Sequence, residues 1–226
     1  MKSLTILLAL FVLIGCQNGK KNNNPDERLQ EKEVPDNFDI GEAKDGRYTN
    51  NYFNLSFEYD QEWDVLTYEE LESLMDMGVE VSSQSNKKLK KSFEAAKVRT
   101  AQHFGAFKHD PETFTGMFNP SVLVLSENVT MHDMQYGDEY LEKIRDTWSK
   151  TNMGIKQDGV IEEEKIDGRT FFTLKGRANT YGVEVLQKYH CTIVKGFALV
   201  VIETYLDEEQ SKETQMVMES MEFKKA

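Results

Sequence analysis

Hydrophobic and polar residues alternate over several short stretches of the chain, the pattern of strands that bury one face. The segment YFNLSFEYD, residues 52–60, places Phe53, Leu55, Phe57 and Tyr59 on one face and so predicts a strand. Further strands are predicted at residues 100–109 and 120–128, joined by a loop.

The last third of the chain predicts four consecutive antiparallel strands. Asp167-Gly168 and Lys195-Gly196 each separate two strand-like segments and suit two-residue hairpin turns, whose residues adopt positive φ. The final strand is apolar on both faces apart from Glu203 and Thr204, so it should be central and covered by a helix. The four predicted strands are residues 159–166, 169–177, 183–194 and 197–206.

Apolar residues at helical spacing predict four helices. Thr67 and Glu70 have the spacing of a capping box for the first helix, and Gly78 is expected to end it. Asp207 and Gln210 are expected to cap the last helix, after which Phe223 would close the sheet edge. The predicted apolar stripes are Leu71 and Leu74; Leu89, Phe93 and Ala96; Leu141, Ile144 and Trp148; and Val217 and Met221.

Together these elements predict an α+β fold in which an antiparallel β-sheet of about six to seven strands is backed by helices. Five lysines surround the apolar stripe of the second helix. We interpret them as a solvated helix face, with a basic patch for an acidic partner as the alternative. They are Lys87, Lys88, Lys90, Lys91 and Lys97.

The first 46 residues lack these patterns and divide into two segments. Residues 1–15 contain Lys2 and then an apolar run, which is too short to span a bilayer and has the form of a signal peptide. Residues 16–46 are polar and charged, which predicts a flexible tether with a mean span on the order of 30 Å. Residues 47–226 form the predicted domain.

The end of the apolar run, Leu13-Ile14-Gly15-Cys16, resembles the lipobox of bacterial lipoproteins. That resemblance implies cleavage after Gly15, a diacylglyceryl thioether on Cys16, and attachment to the membrane outside the cytoplasm through this acylated residue. Because Gln17 rather than aspartate follows Cys16, the resemblance favours the outer membrane in a Gram-negative cell. The alternative is an ordinary secretory signal with a chance cysteine.

The net charge disfavours some classes of partner, and the cysteine content bears on the chemistry of the domain. The net charge is -12, which disfavours nucleic acid as a partner, and an acidic surface also disfavours a domain lying flat on anionic lipid. The only other cysteine is Cys191, in an apolar run, where it is expected to be a buried apolar residue rather than a nucleophile.

The aromatic residues from Tyr48 to Trp63 resemble the start of PsbP-like domains. The two C-terminal hairpins, the Lys195-Gly196 turn and a last helix ending in Met-Glu-Phe at 221–223 resemble their close. This resemblance implies an antiparallel sheet backed by helices and an accessory, binding or assembly role. The helices predicted between Leu66 and Lys97 depart from the PsbP-like pattern, so no partner, ligand or site residue is transferred.

The sequence contains no HExxH motif, calcium loop, nucleophile elbow or phosphate-binding loop, and we predict no cofactor, metal site or catalytic residue. Glu162, Glu163 and Glu164 are interpreted as a solvated strand edge rather than as catalytic carboxylates. His109-Asp110 and His132-Asp133 flank one predicted strand and could converge in space, but we interpret them as chance surface pairs rather than as a metal or acid-base site.

The sequence leads to two main hypotheses. The first is a non-enzymatic envelope lipoprotein that binds a protein partner or small ligand through its sheet face or through the loops at 110–119 and 129–136. The second is a hydrolase or metal-dependent enzyme whose site assembles from scattered acidic residues and the four histidines His103, His109, His132 and His190. A structural or stress protein of the envelope with no specific ligand is the third alternative.

Overall fold

The computed structural model describes residues 35, 37–83, 86–151, 154–180 and 182–224. Within this part of the chain there are eleven strands and four α-helices. The strands are β1 Glu42–Lys44, β2 Arg47–Asn50, β3 Leu55–Glu58, β4 Asp64–Val65, β5 Thr100–Phe107, β6 Ser121–Asn128, β7 Lys156–Ile166, β8 Arg169–Thr180, β9 Val183–Val194, β10 Phe197–Tyr205 and β11 Glu222–Phe223. The helices are α1 Tyr68–Ser83, α2 Lys87–Lys97, α3 Gly137–Trp148 and α4 Glu208–Glu219.

The strands form two antiparallel sheets. The larger sheet has seven strands in the order β4-β5-β6-β10-β9-β8-β7, and the smaller has four in the order β1-β2-β3-β11. The predicted α+β class, with an antiparallel sheet of about seven strands backed by helices, is therefore confirmed. The smaller sheet was not predicted, because its strands have only two to four residues each.

Apolar layers cover both faces of the large sheet. On one face Leu199 and Val201 of β10 pack in a cluster with Phe57 of the small sheet and Val217 of α4. On the other face Val200 and Ile202 of β10 belong to a second cluster, which includes residues of α1 and α3. All nine residues of β10 are buried, which confirms that this strand is central and covered.

Both predicted hairpin turns are present. Asp167 and Gly168 have φ of 46° and 77°, and Lys195 and Gly196 have φ of 51° and 78°. Positive φ at both central residues matches the right-handed twist of the flanking strands, which is why these dipeptides connect β7 to β8 and β9 to β10.

Helix α1 differs from the prediction at its end. Its capping box is present, since the Thr67 amide donates to Glu70 Oε2 at 2.7 Å and the Glu70 amide donates to Thr67 Oγ1 at 3.3 Å. Gly78 does not end the helix, which continues to Ser83. The additional turn is held by contacts with α2, because Met75 and Val79 pack against Phe93 in a small apolar cluster of their own.

The folded domain includes residues of the predicted tether. Strand β1 pairs with β2, with Ala43 opposite Tyr48. Residues 1–34 lie outside the described part of the chain, so the predicted signal peptide and most of the predicted tether are not described. No helix in the described part is both long enough and apolar enough to cross a membrane.

Candidate functional site

A cluster of ionisable side chains surrounds His190 on the face of the large sheet that α4 partly covers. The strand register creates it, since β10 pairs with β9, β9 with β8, and β8 with β7. Alternation along each strand then directs side chains from all four strands to one face. We call the set the histidine network: Glu164, Thr173, Lys188, His190, Glu203 and Thr214.

Both ring nitrogens of His190 contact carboxylates. Nδ1 lies 3.1 Å from Glu164 Oε1 and 2.8 Å from Thr173 Oγ1, and Nε2 lies 3.1 Å from Glu203 Oε1. An ionised carboxylate accepts hydrogen bonds and cannot donate them. When both carboxylates are ionised, each nitrogen carries a proton, and His190 is then an imidazolium ion between two anions.

The inner carboxylate, Glu203, is fully buried and has a partner for each oxygen. Its Oε2 accepts a hydrogen bond from Thr214 Oγ1 at 3.0 Å and lies 3.6 Å from Lys188 Nζ. Lys188 Nζ also donates to Ser211 Oγ at 3.0 Å. Because Thr214 and Ser211 belong to α4, the network attaches this helix to the sheet.

The charges of the network stabilise one another. Burial lowers the pKa of His190, but the hydrogen bonds to Glu164 and Glu203 and their negative charges outweigh it, so this pKa lies above its ordinary value. Burial raises the pKa of Glu203, yet His190 and Lys188 hold it below its ordinary value. The hydrogen bond from His190 likewise lowers the pKa of Glu164.

In this arrangement the charges of the network are paired with one another, and His190 is not placed to act as a general base. A histidine acts as a base through a nitrogen that is free to accept a proton from the reactant, and both nitrogens of His190 already donate to carboxylates. The network meets solvent mainly through Glu164, whose side chain is 46% exposed. β7 is an edge strand of the large sheet, and Glu162, Glu163 and Glu164 are exposed on it, as the solvated-edge interpretation predicts; the Glu164 carboxylate in addition contacts His190 and Thr173.

The four histidines lie in different surroundings. His103 Nε2 is 2.8 Å from Ser126 Oγ in the layer between the two sheets, while the His109 ring stacks on Phe114. His132 follows the end of β6 in a short 3-10 turn, where burial lowers its pKa. In the described ranges, no group of three or more His, Cys, Asp or Glu side chains could hold a metal ion.

His109 and His132 do not converge, which excludes the alternative in which they share a site. His109 precedes β6 and His132 follows it, so the two residues lie at opposite ends of this strand. Eight residues of strand separate the two ends by roughly 25 Å. The same separation applies to the loops at 110–119 and 129–136, which therefore cannot form one binding site.

The predicted lipidation and cleavage residues, Cys16 and Gly15, lie outside the described residues. Cys191 is fully buried on β9, and this burial raises the pKa of its thiol well above the ordinary value. A protonated, inaccessible thiol is a poor nucleophile, so Cys191 is the small buried residue that the apolar run predicts.

Residues 37–41, which we call the latch segment, hold the end of the predicted tether against the domain. Asp39 accepts hydrogen bonds from the amides of Gly41 and Asn51, both at 2.8 Å. The Ile40 carbonyl accepts one from the Tyr48 hydroxyl at 2.6 Å and lies 3.1 Å from His103 Nδ1. The latch segment is thus part of the folded domain.

An aromatic side chain secures the other end of the latch segment. The Phe38 ring packs against four rings, with centroids 4.9 to 5.9 Å away: those of Tyr52, Phe53, His103 and Phe197. Gly41 has φ of 87°, and a Cβ atom there would lie 2.1 Å from the Tyr48 hydroxyl oxygen. Glycine is therefore required where the latch segment passes Tyr48.

Comparison with solved structures gives several distant similarities. LpqN of Mycobacterium tuberculosis, described as involved in cell envelope biogenesis, is 15% identical over 74% of this chain and 82% of its own, with a TM-score of 0.42. A cyanobacterial PsbP from Synechocystis is 11% identical over 79% of this chain and 91% of its own, with a TM-score of 0.43. A Bacteroides thetaiotaomicron protein is 13% identical over 80% of this chain and 48% of its own, with a TM-score of 0.41.

No protein-family model matches the chain, and no curated protein matches it. Structural similarities with identities and TM-scores this low carry no argument about function. The α+β class rests on the helices and sheets of the chain itself.

Proposed function

We propose that the protein is an envelope lipoprotein, held to a membrane by acyl chains on Cys16, whose domain binds a partner or ligand and does not catalyse a reaction. One observation carries the anchoring proposal. The residues Leu13-Ile14-Gly15-Cys16 stand at the end of an apolar run that is too short to span a bilayer. In a Gram-negative cell, Gln17 favours the outer membrane as the destination.

The latch segment supports a tethered arrangement. A chain attached at Cys16 would reach the domain at residue 37, and from there to residue 41 it is held by hydrogen bonds and aromatic packing. Two or more acyl chains provide stable membrane attachment where one provides only marginal attachment, since each buried methylene contributes about 0.8 kcal/mol.

The binding role is supported by the chemistry of the histidine network. Its charges are paired with one another, and neither nitrogen of His190 is available to a reactant. The loop that follows β6 and the loop that precedes it each expose a methionine, Met131 and Met117, and these loops are candidate contact regions.

A localisation experiment tests the anchoring proposal. We expect the wild-type protein to fractionate with membranes and to require detergent for extraction, whereas Cys16→Ala should be found as unprocessed precursor or as soluble protein. Cys191→Ala is the matched control, because it removes the other cysteine and should leave fractionation unchanged. Identical fractionation of wild type and Cys16→Ala would refute acylation at this residue.

A further inference from the structure

The two ends of the large sheet have different surfaces. We call the end where β6 finishes and β10 starts the latch pole, because Phe38 of the latch segment packs there against Phe197. The opposite end, where β5 finishes and β6 starts, is the far pole.

The latch pole combines exposed apolar side chains with charges of both signs, since Asp133 is exposed beside Met131 and Lys195 lies in the β9–β10 turn. Met131 is 60% exposed, and its neighbour Thr130 lies next to Gly196 in the β9–β10 turn. Ile40 of the latch segment is 43% exposed. Lys195, in the same turn, donates to the Tyr52 carbonyl at 2.6 Å and lies over the Tyr52 ring. Methionine, isoleucine, tyrosine and lysine side chains suit the boundary between lipid headgroups and water.

The far pole is acidic. Asp64 of β4 pairs with the last residue of β5. Partial burial and the negative charges of Asp110, Glu70 and Glu112 together raise the pKa of Asp64, so these four carboxylates gather at one end of the sheet. An anionic lipid surface repels such a group, and the repulsion falls off over roughly 10 Å.

We propose that the latch pole is the surface that faces the bilayer, with Met131 and Ile40 at the headgroup boundary and the far pole directed away from it. This inference rests on the proposed acylation of Cys16. About twenty residues separate Cys16 from the latch segment, and a coil of that length has a mean span of roughly 25 Å. The described chain begins at the latch pole, where Phe38 packs on Phe197, so in this proposal the latch pole lies nearer to the membrane than the far pole.

Fluorescence quenching in vesicles tests this orientation. The acylated full-length product, extracted from membranes, is reconstituted into vesicles of phosphatidylethanolamine and phosphatidylglycerol that contain a headgroup-nitroxide lipid. A thiol-reactive fluorophore is placed at Met131→Cys or, as the matched control, at Met117→Cys. Met117 is 68% exposed and lies in the loop before β6. The buried Cys191 thiol is not accessible to the label.

We expect the nitroxide lipid to quench a probe at position 131 several-fold more strongly than a probe at position 117. Equal quenching, or stronger quenching at 117, in protein that floats with the vesicles overturns the orientation and leaves the anchor intact. Protein that does not float with the vesicles contradicts the proposed acylation instead.

The latch segment itself has a separate test. Gly41→Val should displace this segment from Tyr48 and reduce the difference in quenching between the two probe positions. Asp39→Ala, which removes the acceptor for the Gly41 and Asn51 amides, is a milder second variant. If both variants bind vesicles and keep the full difference, the latch segment does not set the orientation.

Discussion

His190 shows how one residue joins distant parts of this fold. It lies on β9 between Glu164 of β7 and Glu203 of β10, and Glu203 continues the contact into α4. A buried ion pair need not add net stability compared with an apolar replacement of the whole network, but removal of one partner leaves an uncompensated buried charge.

We therefore expect His190→Leu to destabilise the protein by about 3 kcal/mol, because Glu203 would remain buried without its main counter-ion. Urea unfolding followed by circular dichroism measures the change. His109→Leu is the control, since His109 stacks on Phe114 in a loop and should lose far less stability. Equal losses in the two variants would show that the charge network does not hold the sheet and α4 together.

The same network predicts a dependence on pH. The pKa of His190 is raised in the folded state, so its contribution to stability is complete below its unfolded pKa of about 6.5 and is lost as the pH rises through the folded-state pKa. The pKa values of Glu164 and Glu203 are lowered, so their contribution is present above the ordinary carboxyl range and is lost as the pH falls through the folded-state values.

Above neutral pH, the difference in unfolding free energy between wild type and His190→Leu should consequently narrow. Urea midpoints of both proteins, measured from neutral to alkaline pH, test this expectation. A difference that stays constant over the range would mean that His190 does not titrate in the network.

The histidine network could have been found in part from the sequence. Once Lys195-Gly196 is taken as a two-residue turn, the register places Lys188 directly opposite Glu203, with His190 two residues further along the same strand. Glu203 was noticed as an exception in an apolar strand. The contact with Glu164 could not be predicted, because it also depends on the register of β8 with β9; the sequence pattern ends β8 at Arg177 and leaves this register open, whereas β8 continues to Thr180.

At the scale of elements, predictions succeeded where local chemistry decides the structure. The hairpins at Asp167-Gly168 and Lys195-Gly196 and the capping box at Thr67 and Glu70 depend on residues next to one another in sequence. The predicted end of α1 at Gly78 was wrong, because the true end depends on packing against α2, a contact between separate segments. The short strands β1 and β2 gave too few residues for a periodic pattern.

The second half of α1 and helix α2 should behave as a semi-independent unit, because Met75, Val79, Phe93 and Ala96 form an apolar cluster of their own, whereas Leu71 and Leu74 pack against the large sheet. We expect Phe93→Ala, at a cost of about 3 kcal/mol to the local packing, to accelerate amide hydrogen exchange in residues 75–97 by up to roughly a hundredfold. Amides of β6, β9 and β10 should keep their wild-type rates.

Phe171→Ala is the control for this prediction. Phe171 is fully buried between the large sheet and the elements that cover it, so its removal should accelerate exchange throughout the domain. If Phe93→Ala also accelerates exchange throughout the domain, the hairpin and the sheet unfold together.

Two of the five lysines of α2 form ion pairs with acidic residues of α1. Lys97 Nζ lies 2.5 Å from Asp76 Oδ1 and 3.7 Å from Glu72 Oε2, and Lys90 Nζ lies 2.5 Å from Glu80 Oε2. These pairs cross from α2 to α1 and favour the antiparallel arrangement. The solvated-face interpretation of the lysines fits exposed Lys87, Lys88 and Lys91, while Lys90 and Lys97 pair with α1.

At the scale of the whole molecule, the signal peptide and lipobox are predicted from the sequence of residues 1–16, whereas the structure describes the domain that follows them. The apolar run and Cys16 bear on the proposed attachment, and the folded domain bears on what an attached protein would present. The latch segment joins the two, since residues predicted to belong to a flexible tether are in fact bound to the domain by Tyr48, Asn51 and Phe197. Sequence pattern could not reveal this contact, because residues 37–41 contain only two large apolar side chains.

The central claim is that Cys16 is the acylated first residue of the mature protein. Mass spectrometry of the N-terminal peptide, from protein extracted with detergent from the membranes of its own cell, tests this claim most directly. The proposal predicts a peptide that begins at Cys16 and carries a diacylglyceryl group on its sulfur. A peptide that retains Met1 to Gly15, or one that begins at or before Cys16 with an unmodified thiol, would contradict it.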